Sequence, residues 1–386
     1  MRFSTNIASL VPSATLAISA RAKRMQAAGE SVIDLSAGEP SFPTPEVAIA
    51  ACVEFARSGH SGYPPTPGIP ELRSAVAAYV SSTTAMGEVE PDNVLVSAGV
   101  KQALFNASFC LFGPGDEVLV PAPYWPSYLA IVSLTGATPV VVPTDFGSGF
   151  RLQIGELERL RSPATRGLFL NSPGNPSGEV YDRDLLEQLA GWAAENDIWI
   201  ISDEIYRRLC YAGDSATSIC DVPHAVERVL HLDGISKAFS MPGWRIGYTV
   251  GPSEVIGKMS ALQSQTTSGA VAAAQHAALA VLASPERDDI VLGFRDILRR
   301  RRDVAVEALN GIPGLEVRVP SGAIYLYVRL TSTSDSMAVA ERLLVEGGVA
   351  SIPGEAFGTP GFLRLNYAVS DEELKEGLAR VRGFFS

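Results

Sequence analysis

The sequence has 386 residues with 31 basic and 42 acidic side chains, a formal net charge of −11. This charge argues against nucleic acid or an anionic membrane surface as the main partner. Hydrophobic residues make up 46% of the chain and charged residues 19%, which is typical of a globular protein rather than a disordered or coiled-coil one. The length suggests two or three lobes with a cleft between them, and a single large α/β lobe is the alternative.

The sequence has no pattern typical of a metal site, a disulfide framework or a membrane span. The four cysteines form no CxxC pair, and none of the four histidines lies in an HExxH motif. The most apolar stretch, residues 270–283, is shorter than the roughly 18–20 residues that cross a membrane. The N-terminal region has no unbroken apolar segment of the secretory type. We therefore expect a cytoplasmic protein with reduced thiols and no metal.

From about residue 46, short apolar runs alternate with longer amphipathic stretches. Several of the runs are apolar without alternation, as strands covered on both faces must be. Helical stretches lie between them, such as Lys101–Phe112, Asp182–Asn196 and Glu254–Ser264. This βαβ order predicts a largely parallel sheet, with function at the C-terminal ends of its strands. The predicted strands are Val94–Ser97, Glu117–Pro121, Thr138–Val142, Leu168–Asn171, Ile198–Ser202, Val229–Asp233 and Ile246–Val250.

After about residue 285 the pattern changes to a long helix, a short-strand region (Ala323–Leu330) and a further helix (Met337–Gly347). The long helix contains four consecutive arginines, residues 299–302, but aspartates flank them, which predicts a solvated helix face rather than a nucleic-acid patch. The expected division is residues 1–45 as an N-terminal arm and part of a small domain, 46–284 as the large cofactor-binding domain, and 285–386 as a small α+β domain.

Three segments that follow predicted strands carry candidate chemistry. Lys237 lies just past one strand, where desolvation can make its amine neutral and nucleophilic, although an isolated lysine is usually a surface residue. Asp203 lies just past the end of another strand, with Tyr206 three residues later. A carboxylate there can keep the ring nitrogen of pyridoxal phosphate protonated, or it can simply cap a helix. The segment from Asn171 to Gly178 is either a tight functional turn or a loop.

In the order of these motifs, the chain resembles the fold type I, pyridoxal-phosphate-dependent aminotransferases, specifically the class I group of bacterial aspartate aminotransferases. The resemblance runs from about Val11 to the C-terminus. It implies an α/β large domain, with a mostly parallel seven-stranded sheet flanked by helices, and a smaller α+β domain. It also implies that Lys237 forms a Schiff base with the cofactor and then moves the proton between the substrate Cα and the cofactor C4′.

The resemblance assigns further residues to the cofactor ring. Asp203 pairs with the protonated pyridine nitrogen, while Tyr206 and Asn175 hydrogen-bond the phenolic oxygen. Trp125 stacks on the ring, and Trp125 and Asn175 also contact the substrate.

The cofactor phosphate needs a cation and backbone amides at a helix N-terminus. The turn at Gly99, Val100 and Lys101 supplies such amides, and the resemblance adds the guanidinium of Arg245 and the hydroxyl of Ser236. The family often has Gly or Ser where this chain has Val100, but the backbone N–H survives that change.

The resemblance also implies which residues bind the substrate and which residue contacts the neighbouring subunit. Arg364 binds the α-carboxylate through its planar fork, and the backbone of Gly38 touches the substrate. Tyr63 reaches the phosphate of the neighbouring subunit, which implies a homodimer with shared active sites.

The predicted activity is the ping-pong transfer of an amino group from an L-amino acid to a 2-oxo acid such as 2-oxoglutarate. The donor is aspartate-type, or a neutral or aromatic amino acid, and prephenate stays open as an acceptor, because Phe109 and Val11 occupy regions where some relatives have a lysine for a distal carboxylate. Two alternatives stay open: a pyridoxal-phosphate lyase that performs β-elimination on cysteine conjugates, and a non-catalytic regulatory module that binds the cofactor.

Overall fold

The computed structural model describes residues 4, 7, 10, 14–223 and 227–386. The helices are α1 (Ala14–Ala27), α2 (Glu46–Arg57), α3 (Pro70–Thr83), α4 (Val100–Leu111), α5 (Ser127–Thr135), α6 (Ile154–Leu160), α7 (Arg183–Glu195), α8 (Ser253–Ser264), α9 (Ala272–Ala283), α10 (Arg287–Asn310), α11 (Ser336–Val345) and α12 (Asp371–Phe385). The strands are β1 (Ile33–Asp34), β2 (Val94–Ser97), β3 (Glu117–Pro121), β4 (Thr138–Val142), β5 (Thr165–Asn171), β6 (Trp199–Asp203), β7 (Val229–Gly234), β8 (Gly247–Val250), β9 (Leu315–Val317), β10 (Tyr325–Leu330), β11 (Val349–Ala350), β12 (Ile352–Pro353) and β13 (Phe362–Asn366).

A seven-stranded sheet with the order β2-β8-β7-β6-β5-β3-β4 is the largest sheet. The predicted mostly parallel sheet is confirmed, with one exception, β8, which runs antiparallel to both of its neighbours. The connection from β7 to β8 holds only a single turn of 3₁₀ helix, Pro242–Trp244, and a parallel neighbour would need a full crossover. The reversal brings the start of β8 to the edge at which β2 and β7 end.

Both faces of this sheet are buried, which explains the unbroken apolar runs in its strands. On one face, Leu230 and Leu232 of β7 pack with Leu104 of α4. On the other, Leu168 of β5 packs with Leu189 of α7. Because both faces of the sheet are covered, the C-terminal ends of its strands are the part that can form a site.

A second sheet, with the order β12-β13-β10-β9, is antiparallel throughout. A short parallel pair, β1 with β11, joins the segment after α1 to the C-terminal region. These elements agree with the α+β character expected after residue 285, and the division of the chain into three parts stays a prediction.

The arginine run on α10 is only partly solvated. Arg299 is exposed and pairs with Asp296 at 3.4 Å, as predicted. In contrast, the side chains of Arg301 and Arg302 are only 13% exposed, because their guanidinium groups lie over the rings of Phe42 and Tyr211. The predicted solvated face is therefore wrong for half of the run: these long side chains cover aromatic surface.

Within the described ranges, no helix is long and apolar enough to cross a membrane. The same residues contain no cluster of three or more histidine, cysteine or carboxylate side chains that could hold a metal ion.

Candidate active site

A cavity of about 480 Å³ opens at the C-terminal ends of the parallel strands. All the predicted site residues except Gly99 and Tyr63 line it: Gly38, Val100, Lys101, Trp125, Asn175, Asp203, Tyr206, Ser236, Lys237, Arg245 and Arg364. These residues come from segments far apart in sequence. They meet because the C-terminal ends of the parallel strands lie at one edge of the sheet. The volume is within the range of small-molecule sites.

Lys237 lies three residues after β7, inside the cavity. Its Nζ donates a hydrogen bond to the backbone carbonyl of Gly38 at 2.5 Å. Burial lowers the pKa of Lys237 to about 8, although the nearby Glu39 opposes this shift. A substantial neutral fraction near pH 8 makes this amine available as a nucleophile and as a base.

Asp203 is the last residue of β6 and is 3% exposed. The hydroxyl of Tyr128 donates to its Oδ2 at 2.8 Å, and the backbone N–H of Ile205 donates to Oδ1 at 3.3 Å. Burial raises the pKa of Asp203 to about 6. Among the described residues, no cationic side chain is paired with this buried carboxylate. Such a carboxylate suits a ligand that brings a protonated ring nitrogen, as pyridoxal phosphate does.

Replacing Asp203 by asparagine should stabilise the cofactor-free protein at alkaline pH. Because folding raises this pKa, the contribution of Asp203 to stability is complete below its unfolded pKa and is lost as the pH rises through about 6. We expect Asp203→Asn to raise the free energy of unfolding at pH 8 by up to about 3 kcal/mol, with a smaller gain at pH 5. Urea unfolding at the two pH values measures this difference.

Asp233 offers a matched control for this experiment. Burial also raises its pKa to about 6, but its side chain does not line the cavity. Asp233→Asn should therefore reproduce the direction of the stability change without weakening cofactor binding, whereas Asp203→Asn should weaken it. Equal cofactor affinities in the two variants would contradict the role given to Asp203.

Arg364, on β13, is 2% exposed and forms no ion pair with any carboxylate in the described part of the chain. Its Nη1 donates to Oδ1 of Asn175 at 3.0 Å, and its Nη2 donates to the carbonyl of Ser36 at 2.7 Å. Its Nε has no hydrogen-bond partner among those residues. Buried charges are normally paired, so this guanidinium is prepared for an anionic ligand.

A second anion site surrounds the turn between β2 and α4. The φ of Gly99 is +80°, and a Cβ there would lie 2.4 Å from Nη2 of Arg245. That guanidinium donates to the carbonyls of Pro242 and Ala98, at 3.0 Å and 3.3 Å, so it stays beside the first turn of α4. The cation, the helix N-terminus and the adjacent Ser236 together fit a phosphate group.

Lys101 and Trp125 form the neighbouring part of the wall. The Lys101 Nζ lies 4.7 Å from the centroid of the Trp125 ring, a cation–π contact. Partial burial, with a smaller effect of Arg245, lowers the pKa of Lys101. The resemblance assigned Lys101 only to the phosphate turn, but the structure also places its side chain in the cavity.

Two tyrosines were missed by the sequence analysis. Tyr128, on α5, donates a hydrogen bond to Asp203. It lies only three residues after Trp125, and this closeness to a predicted site residue is a signal that could have identified it. The hydroxyl of Tyr325, on β10, lies 2.8 Å from that of Tyr206. No local pattern could reveal this second contact, because the two residues are distant in sequence.

Two other predicted positions, Phe109 and Tyr63, do not line the cavity. Phe109, on α4, stacks on Phe105 at 4.3 Å and does not line the cavity, because it is more than two helical turns from Gly99. Its placement in the substrate region is therefore wrong. Val11 is outside the described residues. Tyr63 is 94% exposed.

The chain is similar to known proteins over nearly its whole length. The family model for aminotransferases of classes I and II matches residues 30–381. An aspartate aminotransferase of Streptomyces avermitilis is 40% identical, covering 100% of this chain and 97% of the relative. A probable aspartate/prephenate aminotransferase of Aquifex aeolicus is 39% identical over 98% of this chain and 97% of its own. The solved structure of Thermus thermophilus aspartate aminotransferase with maleate superposes with a TM-score of 0.95 at 41% identity, covering 100% of both chains.

Proposed function

This chain belongs to the class I and II aminotransferases, which are pyridoxal-phosphate enzymes, and we propose that it transfers the amino group of a dicarboxylic L-amino acid such as aspartate to a 2-oxo acid such as 2-oxoglutarate. The observation that carries this proposal is the meeting of Lys237, Asp203 and Arg364 in one cavity. They supply an amine, a buried carboxylate and an unpaired guanidinium, which transamination of an amino acid requires together.

Each of these side chains has a proposed task. Pyridoxal phosphate, when bound, supplies a ring that accepts the electrons released at the substrate Cα. Arg245 and the first-turn amides of α4 hold the phosphate, and Asp203 holds the ring nitrogen in its protonated form. Lys237 would be the residue that holds the cofactor covalently through its Nζ, and its amine, when free, would act as the base.

Arg364 and Lys237 then divide the work on the substrate. Arg364 binds the α-carboxylate in a bidentate pair and so orients the Cα hydrogen towards the Nζ of Lys237. With a pKa of about 8, the neutral amine can take this proton, and its protonated form can give it back. The same residues serve both half-reactions of a ping-pong cycle, first with the donor and then with the acceptor.

The side chain of the substrate is proposed to be acidic because Lys101 faces the same cavity. Lys101, and not Phe109, is the residue of α4 that is placed to bind a distal carboxylate. Relatives with 38–41% identity carry names that include prephenate, which favours this compound as a second amino acceptor. Prephenate also has two carboxylates, so the same cations suit it.

A visible absorbance titration of the cofactor-loaded protein tests this function. L-Aspartate without an acceptor should change the absorbance band of the cofactor, and 2-oxoglutarate should restore it. A cysteine conjugate that yields pyruvate and ammonia, with no such cycle for aspartate, would instead identify a lyase. A protein that binds the cofactor but converts neither substrate would support the regulatory alternative.

We also propose a homodimer with shared sites. Tyr63 extends its ring into solvent at 94% exposure, and apolar side chains on α2 and at the start of α9 are also exposed: Ile49, Val53 and Val271. A second copy of the chain would cover this surface and bring Tyr63 to the neighbouring phosphate site. Sedimentation velocity is the test, and an active monomer would contradict the shared site.

A further inference from the structure

A single buried glutamine connects two parts of the structure that serve the cofactor phosphate. Gln263, near the C-terminal end of α8, is 0% exposed. A glutamine amide can accept two hydrogen bonds and donate two, and this one makes all four. Its Oε1 accepts from the hydroxyl of Ser97 at 2.9 Å and from Nδ2 of Asn106 at 3.0 Å. Its Nε2 donates to the backbone carbonyls of Thr66 and Val96, both at 2.8 Å.

Three of these bonds hold the elements on either side of the phosphate turn, residues 98–101. Val96 and Ser97 are the last two residues of β2, which precedes the turn. Asn106 is on α4, which follows it and supplies the first-turn amides. Because Gln263 bonds both elements, it holds the end of the strand and the helix at one spacing across the turn. A ligand-binding group keeps its geometry only when such neighbours support it.

The segment after α8 supports the phosphate turn at a second point. The Oε1 of Gln102 accepts from the backbone N–H of Ala98 at 2.6 Å, and its Nε2 donates to the hydroxyl of Thr267 at 2.6 Å. The backbone N–H of Thr267 in turn donates to the carbonyl of Gln263 at 3.1 Å. Two side-chain bridges therefore join the phosphate turn and its strand to the end of α8.

The fourth bond of Gln263 holds the loop that precedes α3. The backbone N–H of Val96 donates to the carbonyl of Pro67 at 2.9 Å, so this loop lies along β2, the edge strand of the large sheet. The φ of Gly68 is +113°, and a Cβ there would lie 2.7 Å from Cγ2 of Val96. The loop is therefore packed closely against β2 beside Thr66, the residue that Gln263 bonds.

The same loop contains Tyr63, three residues before Thr66. Pro64 and Pro65 lie between them. A proline ring fixes its own φ and restricts the residue before it, so this stretch of backbone has few conformations. The place at which Gln263 holds Thr66 therefore determines the direction in which Tyr63 extends into solvent.

We propose that Gln263 is a positioning residue that holds the phosphate turn and the loop of Tyr63 in one arrangement. Each subunit then presents its own phosphate turn and the tyrosine that it offers to the neighbouring site together. This inference rests on the proposed function and on the proposed homodimer. Gln263 does not line the cavity, so it acts on the phosphate only through the groups that it holds.

The test separates binding of the phosphate from binding of the rest of the cofactor. Visible absorbance titration of the cofactor-free protein gives dissociation constants for pyridoxal phosphate and for pyridoxal, which has no phosphate. Gln263→Met keeps the length of the side chain and removes all four hydrogen bonds. It should raise the constant for pyridoxal phosphate by about tenfold or more, the order of loss when a residue that supports a ligand-binding group is removed. The constant for pyridoxal should change by less than about twofold.

Inorganic phosphate provides a readout that needs no cofactor. A ligand that binds the folded state raises the temperature of unfolding, so phosphate should stabilise the cofactor-free wild type against heat. We expect a smaller upward shift for Gln263→Met at the same phosphate concentration. An equal shift in both proteins would contradict the proposed role.

Gln275→Met is the matched control. Gln275 is also 0% exposed, and its Oε1 accepts from the backbone N–H of Ile69 at 2.8 Å while its Nε2 donates to the carbonyl of Ala270 at 2.8 Å. It holds the far end of the same loop but neither β2 nor α4. Its loss should lower the stability, because buried polar groups lose their partners, and should leave the ratio of the two constants unchanged. Equal losses of pyridoxal phosphate affinity in both methionine variants would overturn the proposal.

Ser97→Ala is the milder variant, and it keeps the proposal testable if Gln263→Met folds poorly. It removes only the bond between Gln263 and the last residue of β2. The constant for pyridoxal phosphate should rise by roughly threefold and that for pyridoxal should not, and an unchanged ratio would overturn the proposal.

A double-mutant cycle tests the part given to the loop. Tyr63→Phe should weaken pyridoxal phosphate binding less in the Gln263→Met protein than in the wild type, because the loop is then no longer held. Additive losses would contradict this part. A wild type that prefers pyridoxal phosphate to pyridoxal but does not convert aspartate would refute the proposed function instead.

Discussion

Replacing Lys237 by alanine should lower the rate of transamination by at least about 10⁴-fold, because one amine serves as both the covalent attachment point and the base. Burial lowers the pKa of Lys237 to about 8, and no other lysine lies at the C-terminal end of β7. Steady-state assay with L-aspartate and 2-oxoglutarate measures the loss.

A second readout separates chemistry from folding. Borohydride reduction of the cofactor-loaded wild type should attach the cofactor irreversibly to the peptide that contains Lys237, as mass spectrometry would detect, and the alanine variant should show no such peptide. Lys258→Ala, which removes an exposed lysine of α8, is the matched control and should behave as the wild type. Near-native turnover by Lys237→Ala would remove the central assignment.

Replacing Arg364 by alanine should reduce kcat/KM for every amino acid substrate. The expected loss is on the order of 2–4 kcal/mol, or roughly 30- to 1,000-fold, because the guanidinium is buried and its pair with the α-carboxylate is shielded from water. The loss should be similar for aspartate and for a monocarboxylic amino acid, because both carry the α-carboxylate that Arg364 binds.

Two controls sharpen this experiment. Arg364→Lys keeps the charge without the planar fork and should recover only part of the lost affinity. Arg329→Ala removes an arginine from the adjacent strand β10, where its side chain is 43% exposed and pairs with Glu316, and should leave kcat/KM unchanged. Unchanged affinity in Arg364→Ala for a panel of amino acids would show that another arginine holds the carboxylate.

The sheet was largely predictable because strands that are buried on both faces appear in the sequence as unbroken apolar runs. The bounds of β2, β3 and β4 agree with the predicted runs residue for residue. Helix α4 begins and ends one residue before the predicted stretch, since a helix end depends on capping and packing beyond the local pattern. The reversal of β8 was not predicted, because strand direction follows from the length of a connection and not from the composition of the strand.

The site was predictable where its residues follow strands directly, as Asp203 and Lys237 do. It was not predictable where residues distant in sequence come into contact, as Tyr325 and Tyr206 do. Phe109 was misplaced because sequence distance along a helix does not show which turn faces the ligand.

The antiparallel strand β8 has a consequence for how this protein becomes active after synthesis. Its residue Gly247 pairs with both Ser97 and Gly234, so the strands that lead into the phosphate turn and the lysine segment are joined in the sheet by a strand made much later than β2. Contacts between such distant segments are typical of slow folding. A growing chain on the ribosome cannot assemble the cofactor site until β8 has emerged, and recovery of the cofactor absorbance during refolding should therefore report the completion of this sheet.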